Sequence, residues 1–287
     1  MDPSGGAEPI LAPWCACLSN ERLSTYLDLT REFNAGRLRT ILCSGPAVVL
    51  LRLAIASKDG DWIVREDDEA FSHVLEVLER HGARYRFGAP LDFRWHRHGW
   101  SSHFEFAANG LRVRTDFLSR PPRVGASELS ALWREQEGRD PPFTGPAVLI
   151  GIKQTAREKD WPIVGELARL LPSERERILH GRSARDLLAA AARNPALVAS
   201  LVAERPALAA VPKGLDELRI ALERERFAAM DADARRIQVF IAAARTLQAE
   251  WPALERSMAG LPLRAAHDRL LASAARCLPM SPSAIDS

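Results

Sequence analysis

Apolar positions along the first 171 residues switch between helical and strand spacing, and beyond that point they keep to helical spacing alone. Over residues 20–34, Leu23, Tyr26, Leu27, Leu29 and Phe33 supply one apolar stripe and predict an amphipathic helix. Residues 39–43 are short and apolar and end at Ser44-Gly45, the pattern of a strand closed by a turn. Pro46 suits the first turn of a helix, where its missing N–H costs nothing, and the apolar residues up to Ile55 continue it. A second strand fits residues 59–64, after which Asp67-Asp68 caps a helix with Phe71, Val74, Leu75, Val77 and Leu78 on one face and Gly82 as its stop.

Residues 83–87 and 91–95 are weaker strand candidates. Asn109-Gly110, set between residues 103–106 and 111–118, is the chemistry of a tight antiparallel hairpin. In its second strand Leu111, Val113, Thr115 and Phe117 share one face, while Arg112, Arg114 and Asp116 share the other. Such a sheet packs on helices by one side and opens to a cleft on the other. Pro121-Pro122 then begins a connection over residues 121–146 with a short helix near Trp133. Residues 147–160 read as a helix in which Lys153 and Arg157, four apart, share a face, and Asp160 is placed to cap the next helix. From Pro172 onward every segment reads as helix. The expected organisation is a loose arm over residues 1–18, an α/β (α+β) domain over 19–171 with a mixed sheet flanked by helices, and an all-helical C-terminal domain over 172–287 that offers faces to a partner protein.

Composition narrows the class without naming a chemistry. An apolar fraction of 47% in 287 residues supports a globular core. No apolar run approaches the roughly 18 residues that span a bilayer, and residues 1–13 lack a basic region ahead of an apolar one, so no membrane role and a cytoplasmic location are expected. Four cysteines at 15, 17, 43 and 277 form neither a disulfide framework nor a paired zinc motif. Arginine is abundant, but 37 acids balance 39 basic residues and leave a net charge of +2, which is no footprint for nucleic acid.

The candidate chemistry lies in Asp59-Gly60-Asp61. On a strand, two acids at alternate positions project from one face about 6–7 Å apart and can share a hard divalent cation. Magnesium is commonly held by one or two carboxylates together with substrate phosphates, which makes a nucleoside triphosphate the natural third party. Taken alone, Lys58-Asp59-Gly60-Asp61 reads as a solvated Asp-Gly turn, and it is the context that turns it toward a metal site. His96, His98 and His103, beside Trp95 and Trp100, read as lining a cleft rather than as a zinc site, because the spacing supplies no clear fourth ligand.

Taken in order, a strand ending in Ser44-Gly45, a helix, a strand with Asp59-x-Asp61, a hairpin strand with Asp116 and a helix with Lys153 and Arg157 resemble the DNA polymerase β-like nucleotidyltransferase superfamily. That family shows a Gly-Gly or Gly-Ser turn, then Asp-hydrophobic-Asp, then a third acid on a later strand. Lys153, Arg157, Lys159 and Asp160 further match the Lys-x-x-x-Arg-x-Lys-Asp layout of small bacterial nucleotidyltransferases of the abortive-infection and toxin–antitoxin type. The likeness covers residues 36–171, and it departs at Ser44, where glycine is usual, and at Gly60, where a hydrophobic residue is usual. Glycine in a strand interior weakens packing.

The resemblance implies that Asp59 and Asp61 hold Mg²⁺ (or Mn²⁺), and that Asp116 binds a second ion or takes the proton of an attacking hydroxyl. It also implies that Ser44 and Gly45 cradle phosphate oxygens, that Lys153 contacts the nucleotide and that Arg157 assists or braces its helix. The implied activity is transfer of a nucleotidyl group from a nucleoside triphosphate to a hydroxyl of a protein, an RNA or a small molecule. The alternative, motivated by Ser44 and Gly60, is a catalytically silent module that keeps the fold for antitoxin-like or regulatory interactions.

Overall fold

The computed structural model describes residues 13–282. Its first part runs α1 (Pro13–Phe33), β1 (Thr40–Cys43), α2 (Ser44–Leu50), β2 (Gly60–Val64), α3 (Asp68–Arg80), β3 (Arg84–Gly88), α4 (Phe93–His96), β4 (Ser101–Ala108) and β5 (Leu111–Leu118). The strands form one sheet in the order β1-β2-β5-β4-β3. β2 and β5 pair in parallel, and the remaining pairs are antiparallel. This is the mixed sheet flanked by helices that the sequence pattern predicts.

Local chemistry accounts for the register. Asn109 and Gly110 both take positive φ, 51° and 74°, the backbone of a type I′ turn, and the β4–β5 ladder runs unbroken from Ala108↔Leu111 to Ser101↔Leu118. The Asp67 side chain accepts the Ala70 N–H and caps α3 as expected. One face of the sheet is closed by α1 and α3 around Trp62, whose ring stacks on Phe117 at 5.4 Å and meets Phe33 edge-on at 5.4 Å. Trp62 Nε1 donates to Thr30 Oγ1 at 2.9 Å, so this buried indole keeps its polar atom satisfied.

The chain continues through α5 (Ala126–Gln136), α6 (Pro146–Lys153), a 3₁₀ turn (Glu158–Asp160) and α7 (Trp161–Arg169). Next come α8 (Glu174–His180), α9 (Ala184–Arg193), α10 (Pro195–Ser200), a 3₁₀ segment (Pro206–Lys213), α11 (Leu215–Ala243), α12 (Arg245–Met258) and α13 (Leu263–Cys277). The C-terminal region is therefore helical among the described residues. Its first half has a small core of its own around Ile178, Leu187, Val198, Leu208 and Leu218. The 29-residue α11 then carries the chain back, and Leu247, Leu263, Leu270 and Ala274 join the core beneath the sheet. Tyr85 Oη pairs with His267 Nδ1 at 2.7 Å, and Trp95 Nε1 donates to the Leu278 carbonyl at 3.2 Å, fastening that return. Among the described residues no helix is long and apolar enough to cross a membrane.

Several local expectations are corrected. The first helix begins at Pro13 rather than Asn20, so residues 13–18 of the expected loose arm are helical, and residues 1–12 of it lie outside the described residues. α2 stops at Leu50 because Arg52 turns into the left-handed region at φ 61°. Residues 91–95 form no strand, since the Asp92 carboxylate accepts the Arg94 N–H at 2.8 Å and starts a helical turn instead. α6 ends at Lys153, where Thr155 Oγ1 takes the Arg157 N–H at 3.1 Å and Asp233 takes the Ala156 N–H at 2.8 Å. Lys153 and Arg157 consequently do not share a helix face. Asp160 caps nothing with its side chain, which binds Thr155 Oγ1 at 2.7 Å and Arg157 Nε at 2.9 Å.

Candidate active site

A single transverse row crosses all five strands on the face that α1 and α3 leave uncovered. Cys43 pairs with Asp61, Asp61 with Asp116, Asp116 with His103, and His103 with Phe87. Partners on adjacent strands stand about 4.8 Å apart and project to the same side. The topology therefore sets Asp61 and Asp116 next to each other, one from each parallel strand. Asp59 immediately precedes β2, and the β1 end of the row runs directly into Ser44-Gly45.

The acids perturb one another. Burial raises the Asp61 carboxyl to about 8, and the nearby negative charge of Asp116, then of Asp59, works in the same direction; Lys153 and the Gly45 N–H pull it down. Burial and the charge of Asp61 likewise push the Cys43 thiol up. Asp59 Oδ1 and Asp116 Oδ1 are shielded from solvent without a hydrogen-bond partner. An arginine stands near each: Arg114, 3.8 Å from Asp59, and Arg86, 3.7 Å from Asp116. His103 Nδ1 lies 2.8 Å from Asp116 Oδ1, outside hydrogen-bond geometry, while its Nε2 meets Ser101 Oγ at 2.9 Å.

Oxygen-only donors with two unsatisfied carboxylate oxygens fit a hard divalent cation in residue type. Their spacing is looser. Among the described residues, no three His, Cys, Asp or Glu side chains gather closely enough around one point to hold an ion. Mutual repulsion, with an arginine drawn toward each of two acids, accounts physically for carboxylates that are neighbours without forming a cage.

The turn after β1 explains its own residues. Ser44 sits at φ 52°, the left-handed region, which is why glycine would be the easy choice there. A Cβ on Gly45 would fall 2.1 Å from Ser57 Oγ and 3.1 Å from Ser57 Cβ, so a side chain here would force Ser57 to shift, and Asp61 Oδ2 lies 4.0 Å from the same point. Lys153, buried at the end of α6, points Nζ at Ser44 Oγ across 3.2 Å. Arg157 turns away to Asp160, which also lies 3.9 Å from Lys153 Nζ.

Gly60 has a direct steric cause. A Cβ there would meet Trp62 Cη2 at 2.4 Å and Tyr26 Cδ1 at 2.7 Å. The core volume expected of a hydrophobic residue at this position is already filled by those two rings, so strand packing is kept despite the glycine.

Of the residues singled out from sequence, Asp61, Asp116, Ser44, Gly45 and Lys153 come together with Asp59 at their edge, and Arg157 is held apart. His96 is buried against Ser102 Oγ at 2.7 Å, and His98 is exposed. His103, Arg86 and Arg114 were not assigned to the acids from sequence. A usable signal existed for His103, because a two-residue Asn109-Gly110 loop fixes residue 103 opposite residue 116.

No protein-family model matches the chain, and no curated protein matches it. Among solved structures, similarity is found to a candidate nucleotidyltransferase from Helicobacter pylori, at 12% identity and a TM-score of 0.36, covering 78% of this chain and 98% of that one. It is also found to JHP933 from Helicobacter pylori, at 12% identity and a TM-score of 0.34, covering 83% and 99%. Likenesses at this level leave the function to be argued from the site itself.

Proposed function

We propose that this protein is a metal-dependent nucleotidyltransferase that moves a nucleotidyl group from a nucleoside triphosphate to a hydroxyl. The observation that carries the reading is the adjacency of Asp61 and Asp116 on parallel strands beside the Ser44-Gly45 turn, with Lys153 in reach of Ser44. Phosphates belong at the turn, where Lys153 and the Ser44 hydroxyl supply donors. Asp59, Asp61 and Asp116 would hold Mg²⁺ or Mn²⁺, which when bound neutralises charge on the triphosphate and its leaving group. Asp116, placed toward the open end of the row, accepts the proton of the attacking hydroxyl. Arg157 braces the Lys153 loop through Asp160.

Within this reading, the Lys153, Arg157, Lys159 and Asp160 run favours the bacterial abortive-infection and toxin–antitoxin type. A cytoplasmic setting and a partner protein on the C-terminal helices complete the proposal. A second reading, a silent interaction module, draws on Arg114 and Arg86 lying beside acids that are not closed into a cage. Calorimetry with ATP, CTP, GTP and UTP in the presence of Mg²⁺ separates the two. Binding of at least one, lost in Asp61→Ala, supports the transferase; binding of none supports the module.

A further inference from the structure

The β3 end of the catalytic row opens into a cleft of about 540 Å³ between the sheet edge and α11–α12. Its walls are apolar and aromatic: Phe87 and Trp100 from the sheet side, and Ile237, Phe240, Ile241 and Trp251 from the helices. Trp100 and Phe240 meet edge-on at 5.0 Å, an approach allowed because Gly99, at φ 87°, leaves a Cβ position only 3.2 Å from the Phe240 ring. Phe87 stacks on His103 at 4.2 Å, so the cleft wall and the residue touching Asp116 are in direct contact. Ile237 and Ile241 remain 37% and 41% exposed, and Phe87 is 46% exposed although His103 stacks on one side of it and the Arg86 guanidinium lies 5.1 Å from its ring.

We infer that this cleft binds the acceptor, and that the acceptor is a small hydroxyl-bearing aromatic compound. The inference rests on the nucleotidyltransferase reading and deepens it. Displacement at phosphorus runs in line, with the attacking oxygen opposite the leaving oxygen. If Ser44, Gly45 and Lys153 take the leaving pyrophosphate at the β1 end, attack comes from the far side of Asp61 and Asp116, along the row toward β3. Two strand spacings, roughly 10 Å, separate Asp116 from Phe87. A body of two rings seated among Trp100, Phe240 and Phe87 thus presents a hydroxyl at Asp116.

In the step itself, the hydroxyl oxygen forms a bond to the α-phosphorus. The bond from that phosphorus to the pyrophosphate oxygen breaks with its electron pair remaining on pyrophosphate, and the hydroxyl proton passes to Asp116. The lining is unsuited to an RNA acceptor, since of its residues only Arg236 carries a fixed positive charge.

Equilibrium dialysis with 2-naphthol, read by its own fluorescence, tests the assignment on the full chain. The parent binds 2-naphthol saturably. Ile241→Trp, which fills the cleft, and Ile237→Glu, which charges it, each weaken that binding at least tenfold. Both substitutions fall on partly exposed positions and leave the thermal unfolding midpoint within a few degrees of the parent. Saturating nucleotide with Mg²⁺ does not displace 2-naphthol, and both variants bind the nucleotide within twofold of the parent. Absence of saturable binding, equal binding by both variants, or displacement by the nucleotide would overturn the acceptor assignment; displacement would give the cleft to the nucleobase. Failure of all four nucleotides to bind the parent in calorimetry is a separate result, and it removes the transferase reading and the acceptor role together.

Discussion

Gly60→Ala places one methyl group where two aromatic rings already are. Its Cβ would lie 2.4 and 2.6 Å from Trp62 Cη2 and Cζ3 and 2.7 Å from Tyr26 Cδ1, all far inside van der Waals contact. Neither ring yields readily. Trp62 is fully buried, bonded to Thr30 and stacked on Phe117, while the Tyr26 hydroxyl donates to the Lys58 carbonyl at 3.0 Å. Overpacking of this kind costs about 1–3 kcal/mol. Replacing glycine by alanine returns roughly 0.4–1 kcal/mol through the unfolded chain. The expected net loss is about 1–2 kcal/mol, a fall of several degrees in Tm for a chain of this size at roughly 2–4 °C per kcal/mol. Urea unfolding followed by tryptophan fluorescence measures it, with near-ultraviolet circular dichroism reporting on the Trp62 environment. A variant as stable as the parent, or more so, would refute the steric account of Gly60.

Two further outcomes follow from the turn and the acids. Ser44→Gly should be more stable than Ser44→Ala by about 1 kcal/mol, because both lose the hydroxyl but only glycine accepts φ 52° without strain; equal midpoints in denaturant would contradict this. Asp61→Asn should stabilise the metal-free protein by an amount that grows with pH. Below about pH 4 the carboxyl is protonated in both states. Between its ordinary 3.8 and the folded value of about 8 the folded state retains a proton that the unfolded state has lost, so the parent's stability falls across that window and levels off above it. Relative to the parent, the variant's gain should rise steadily up to about pH 8 and level off beyond it. Added Mg²⁺, which favours the ionised carboxyl, should narrow that gap, and a difference independent of pH would sink the electrostatic assignment.

Short-range chemistry was the legible part of this chain. The Asn109-Gly110 turn and the Asp67 cap each carry their own geometry in two or three residues, and the two faces of β5 follow from simple alternation. Ser44 and Gly60 look like departures in sequence terms, yet they have local causes visible only in three dimensions: a positive φ at one, and two rings crowding the other. Helix ends that depend on distant partners carry no local signal. α6 stops at Lys153 partly because Asp233, buried on α11 and also bound to Arg123 at 2.8 Å, captures the Ala156 N–H from 77 residues away. The return of α12 and α13 to the sheet core was equally hidden, since an amphipathic stripe states that a face is buried without stating against what. The aromatic cleft beside His103 follows from that return.

The central claim is tested most directly by label transfer. The parent is incubated with Mg²⁺ and each α-labelled nucleoside triphosphate in turn, in a lysate that supplies acceptors, beside Asp61→Asn and Asp116→Asn variants of confirmed folding. The account predicts label transfer by the parent with at least one nucleotide, dependence on the divalent cation, and loss of transfer in both variants. Equal transfer by parent and variants, or transfer that persists when the cation is chelated, would contradict it.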